Sequence, residues 1–86
     1  MRITTTKKFD KQFKKQSDKI KKEFVRRIKI FQVDMNNPLL HVHKLSGAYN
    51  GLWSMNITGN VRVVFDTEQE PIVILIAIGT HSELYS

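Results

Sequence analysis

Ile72-Val73-Ile74-Leu75-Ile76-Ala77-Ile78-Gly79-Thr80-His81-Ser82-Glu83-Leu84-Tyr85-Ser86 is the stretch on which the reading of this chain turns. Its first seven residues are all apolar and four are Ile, a run too short to span a membrane and β-branched enough for a strand buried on both faces. This is the expected central strand. Gly79-Thr80 then breaks the run and leaves His81 and Tyr85, side chains suited to proton chemistry or base stacking, on a short polar tail.

Upstream of an acidic turn at 66–71, residues 52–65 alternate with period two. Trp53, Met55 and Ile57 alternate with Ser54, Asn56 and Thr58, and Val61, Val63 and Phe65 with Arg62 and Val64. A two-residue Gly59-Asn60 turn would mix the faces. A three-residue Thr58-Gly59-Asn60 loop keeps them apart by pairing Ile57 with Val61, Asn56 with Arg62 and Trp53 with Phe65. Arg62 then stands beside Asn56 away from the apolar side, with no carboxylate opposite. It is either a phosphate ligand or an ordinary solvated strand charge.

Residues 39–51 read as a loop with two glycines and two histidines. His41-x-His43 invites comparison with a metal pair, but no nearby Cys, Asp or Glu completes a ligand set at a recognisable spacing. No metal is expected. The histidines serve acid/base or phosphate chemistry, or merely pack.

The first third of the chain is helical in pattern. After a short β-favouring segment, Arg2 to Thr5, Thr6 is placed to cap a helix bearing Phe9 and Phe13 at i, i+4. Ser17-Asp18 restarts the pattern, and Ile20, Phe24, Ile28 and Phe31 form the stripe of a longer helix ended by Asn36-Asn37-Pro38. Lys11, Lys14, Lys15, Lys19, Lys22, Arg26 and Lys29 occupy the other faces. The expected fold is therefore α+β, in the order β-α-α-β-β-β. Two N-terminal helices pack on one face of a four-stranded, mainly antiparallel sheet whose opposite face is polar.

Charge is unevenly placed. Residues 1–34 hold twelve of the 14 basic residues against four acidic ones, a net +8, whereas residues 35–86 hold two against four, a net −2. Such a basic half is the footprint of a polyanion partner, or else lysines that only solubilise two helices. Eighty-six residues make a single domain, 1–86, with a modest core. With no cysteine, no h-region and no span long enough for a membrane, a soluble intracellular protein is expected, without disulfides or a thiolate metal site.

The order and spacing of four segments carry a resemblance over nearly the whole chain. They are Lys7-Lys8-Phe9-Asp10-Lys11-Gln12-Phe13, His43-Lys44-Leu45-Ser46-Gly47, residues 53–65, and Ile78-Gly79-Thr80-His81-Ser82-Glu83-Leu84-Tyr85. Together they resemble the RelE/ParE superfamily of bacterial toxins, closest to its YafQ-like branch. The resemblance implies the toxin of a type II toxin–antitoxin pair: an endoribonuclease that enters the ribosomal A site, cuts translated mRNA and is held inactive by a cognate antitoxin. It also implies a first strand lying beside the last. Carried over by position, His43, Arg62, His81 and Tyr85 are the implied catalytic residues. YafQ-like members commonly have histidine and aspartate where this chain has Asn56 and Asn60, so these two are auxiliary at most and the acid/base work falls to His43 and His81.

RNA carries its own nucleophile, so cleavage needs a base for the 2′-OH proton, a cation for the phosphoryl oxygens and an acid for the leaving 5′-oxygen. No metal or small-molecule cofactor is needed. Histidine, with an unperturbed pKa of about 6.5, suits either proton role. Arg62 suits the phosphate, Tyr85 a base or the scissile phosphate, and the helical basic residues with Lys44 the backbone of mRNA or ribosomal RNA. Two other readings stand beside this one, a ParE-like gyrase-inhibiting toxin, which needs no histidine pair, and a non-catalytic RNA- or protein-binding module.

Overall fold

Thr6 turns the chain from strand to helix. Its backbone is extended (φ −91°, ψ 163°) and its Oγ1 accepts the Phe9 N–H at 3.0 Å, capping the helix, while its hydroxyl donates to the Ile76 carbonyl at 2.8 Å. One side chain thus starts a helix and ties it to the sheet. The computed structural model describes residues 1–85, and Ser86 lies outside them. In order, the elements are β1 (Arg2–Thr5), α1 (Lys7–Lys14), α2 (Asp18–Val33), β2 (His43–Lys44), β3 (Trp53–Asn56), β4 (Val61–Asp66), β5 (Ile72–Thr80) and α3 (His81–Tyr85). Ser17 caps α2 from the Ile20 N–H at 3.2 Å, as its sequence position predicts. α2 ends before Asn37-Pro38, where Asn37 Oδ1 accepts the Leu39 N–H.

Both helices bury their aromatic stripe against one face of the sheet. Phe9, Phe13 and Phe24 stand with ring centroids 5.0 to 5.8 Å apart, and Phe31 meets Phe65 edge-on at 5.0 Å. With Met55, Ile57, Val63, Val73, Leu75 and Ile78 they form the main core. Each such side chain contributes roughly 1.5–3 kcal/mol when fully buried.

The sheet order is β1-β5-β4-β3-β2, with β1 parallel to β5 and the other pairs antiparallel. β5 is flanked on both sides, as the apolar run requires. The β3–β4 register is the one that the three-residue loop selects, with Trp53 opposite Phe65 and Asn56 opposite Arg62. Thr58 holds the turn by accepting the Asn60 and Val61 N–H groups on its hydroxyl. A bulge interrupts β4–β5. Val64 faces Ala77 and Phe65 faces Leu75, leaving Ile76 as the extra residue.

Three details depart from the sequence reading while the α+β class holds. The sheet has five strands, because two residues of the expected loop form β2, a segment too short to show a period. The face away from α1 and α2 is not simply polar. Val64 and Ala77 are fully buried there with Leu84, and Leu45, Tyr49, Leu52 and Ile76 pack around them. The segment after Gly79-Thr80 is not an extended tail but α3. Thr80 and Glu83 form a reciprocal capping box, the Thr80 N–H donating to Glu83 Oε1 at 2.8 Å and the Glu83 N–H to Thr80 Oγ1 at 3.2 Å. Gly79 gives this helix room, since a Cβ there would stand 3.2 Å from Glu83 Oε1 and 3.3 Å from Glu83 Cβ.

Candidate active site

Strand register decides which side chains share the face opposite the helices. Directly opposed residues of antiparallel strands point the same way. His43, Ser54, Val64 and Ala77 therefore form one cross-strand row, and Asn56, Arg62 and Gly79 the next. α3 starts two residues beyond Gly79 and folds back over this face through Leu84, which brings His81 and Tyr85 to the same side of the sheet as His43 and Arg62.

His43 is exposed, and its Nδ1 lies 2.9 Å from the His41 carbonyl oxygen. A carbonyl can only accept, so Nδ1 carries the proton of this bond, and in the neutral ring Nε2 keeps its lone pair for solvent or substrate. His41 supports the geometry with a left-handed backbone, φ 48°. Arg62 is half-buried, and its Nε is shielded from solvent without a hydrogen-bond partner. The same holds for Oδ1 of Asn56 across the strand pair.

Aromatic contacts latch α3. The His81 and Tyr85 rings lie 4.6 Å apart at 31°, Tyr49 meets Tyr85 edge-on at 5.2 Å, and the Tyr49 hydroxyl donates to the Leu84 carbonyl at 2.8 Å. Sequence reading missed Tyr49, whose only signal was an aromatic residue in a glycine-bracketed loop. In the capping box, the backbone bond from Thr80, then the Thr80 hydroxyl bond, hold the Glu83 carboxyl below its ordinary value, against slight desolvation. On α2 the bond from Arg27, then the charges of Arg26 and Arg27, do the same for Glu23 against desolvation.

The other candidate residues stand elsewhere. Lys11, Lys14, Lys15, Lys19, Lys22, Arg26 and Lys29 are all exposed on α1, α2 or the turn between them, across the sheet from His43 and Arg62. Lys19, Lys22 and Arg26 line an open groove of about 500 Å³ with Glu23, Arg27, Ile57 and Thr58. Lys15 shares a small crevice with Glu83. Lys44 pairs with Trp53 and sets its Nζ 5.5 Å from that ring, on the face opposite to His43. Asn60 is exposed at the turn tip, away from the Asn56–Arg62 row. Among the described residues, no three His, Cys, Asp or Glu side chains cluster as a metal site, and no helix is long and apolar enough to cross a membrane.

The model of one protein family, described as the bacterial toxin of type II toxin–antitoxin systems, YafQ, matches residues 1–86. No curated protein matches the sequence. Among solved structures, the fold is similar to YafQ from Escherichia coli strain BL21(DE3), at a TM-score of 0.76, 15% identity and full coverage of both chains. It is also similar to the toxin fold in the E. coli DinJ–YafQ complex, at 0.73 and 16% with full coverage of both chains. A third likeness is to the RelB–RelE antitoxin–toxin complex of Methanococcus jannaschii, at 0.74 and 20%, covering 95% of this chain and 94% of that one.

Proposed function

Because the chain belongs to the YafQ family of bacterial toxins of type II toxin–antitoxin systems, we propose that it is a ribosome-dependent endoribonuclease that cuts translated mRNA and is silenced by a cognate antitoxin. The observation that carries this reading is the gathering of His43, Arg62, His81 and Tyr85 on the sheet face away from α1 and α2. In the reaction, His43 Nε2 takes the proton of the ribose 2′-OH. The 2′-oxygen forms a bond to phosphorus as the bond to the 5′-oxygen breaks, and His81 returns a proton to that leaving oxygen. A 2′,3′-cyclic phosphate and a 5′-hydroxyl result. The Arg62 guanidinium offsets the charge growing on the phosphoryl oxygens. Tyr85, 43% exposed beside His81, offers a ring on which a base stacks.

The antitoxin follows from the titles of similar complexes, in which YafQ and RelE are bound to DinJ and RelB. The exposed basic surface of α1 and α2 is the natural seat for an acidic segment of such a partner. Inducing the protein without its partner and mapping mRNA 5′ ends tests the nuclease reading. New ends inside translated frames are expected, with growth arrest. Normal growth with intact transcripts, from soluble folded protein, would sink it.

A further inference from the structure

Within the nuclease reading, we infer that Asn56 is a positioning residue, whose Oδ1 takes the Nε–H of Arg62 and so aims the remaining guanidinium N–H groups at substrate. Asn56 Oδ1 and Arg62 Nε are both shielded from solvent, and neither has a partner. One is an acceptor and the other a donor, and buried polar atoms of native proteins are almost always paired. Asn56 and Arg62 are directly opposed in β3 and β4, so their side chains leave the same face of the sheet about 5 Å apart at Cβ. Each is the nearest complement of the other on that face, and a small side-chain rotation joins them.

The chemistry of the pair favours an amide over a carboxylate. Aspartate would hold Arg62 equally well but would cancel the positive charge needed at the phosphate. A neutral acceptor fixes the guanidinium and leaves its charge to the substrate. Holding Nε from behind also leaves the Nη groups as the ones to meet the phosphoryl oxygens. Asn56 touches no reacting atom in this arrangement; it acts through Arg62.

The test reads the Arg62 Nε–H directly by proton–nitrogen NMR, its signal assigned by its loss in Arg62→Lys. Slow exchange with water is expected in the wild type and in Asn56→Asp, and exchange at least about tenfold faster in Asn56→Leu and Asn56→Ala with the backbone spectrum unchanged. In parallel, single-turnover cleavage at saturating ribosomes should slow about tenfold in Asn56→Leu, with an unshifted pH profile and a half-saturating concentration within about twofold of wild type. Asn56→Asp should keep the slow exchange yet lose cleavage through charge neutralisation. A wild-type Nε–H exchanging as fast as that of a surface arginine overturns the inference, whether or not any variant folds. So does slow exchange that survives Asn56→Leu or Asn56→Ala. Failure of wild-type protein to cleave mRNA would overturn the nuclease reading instead, while leaving the exchange result standing.

Discussion

At the scale of single residues, the candidate site divides into side chains that support the fold and side chains that do not. His81 is exposed, so His81→Ala should change stability by no more than about 0.5 kcal/mol yet slow cleavage about 10²–10⁴-fold, as loss of a general acid does. Arg62 is half-buried beside Val64, and Arg62→Ala should cost about 1 kcal/mol while slowing cleavage about 10²–10³-fold. Thermal melts followed by circular dichroism, set against cleavage of ribosome-bound mRNA, check both. Full activity in either variant removes that residue from the mechanism, and unfolding of His81→Ala would make that residue structural. The residues of this site were legible from their chemistry and from the hairpin register. What the sequence hid was their surroundings, since the burial of Arg62 Nε depends on neighbours brought over the sheet by segments far away in the chain.

At the scale of elements, α3 is the least independent piece of the molecule. Five residues are too few for a helix to persist alone. Its existence rests on the Thr80–Glu83 box, on burial of Leu84 and on the Tyr49 latch. Thr80-x-x-Glu83 was legible as a capping box, but the glycine before it read more strongly as a strand's end, and so the tail passed as extended. Gly79→Ala would press a Cβ against Glu83 and should cost about 1–3 kcal/mol, seen as a lower melting temperature and faster amide exchange in 80–85. A melting temperature equal to wild type would show that α3 gives way freely. Acid should loosen the same element. Glu83 has a lowered pKa in the folded state, so its stabilisation is complete above the ordinary 4.5 and disappears as pH falls below that and through the lowered value. Glu83→Gln should flatten the acid limb of stability against pH, and a limb identical to wild type would contradict this assignment.

At the scale of the whole molecule, the sheet is a partition. The helices place a basic surface on one side, and the candidate nuclease residues stand on the other. The sequence announced both but could not say that they were back to back, because charge counting carries no information about which face a helix covers. Antitoxin affinity should therefore fall with added salt, and Lys22→Glu with Arg26→Glu should weaken it further, chiefly through slower association, while the single-turnover rate of cleavage stays within about twofold. Binding that ignores both salt and charge reversal would mean that the partner grips an apolar surface instead. The pairing of β1 with β5 also bears on how the protein is made. Among the described residues, the first strand finds its only sheet neighbour some seventy positions later, across the parallel register Arg2–Ile72 to Thr5–Leu75. During synthesis the helical hairpin emerges first and waits for its sheet, since a chain closing so long a loop gains nothing until the loop is complete. His81 and Tyr85 emerge later still, so a nascent chain stays harmless to the ribosome that is building it.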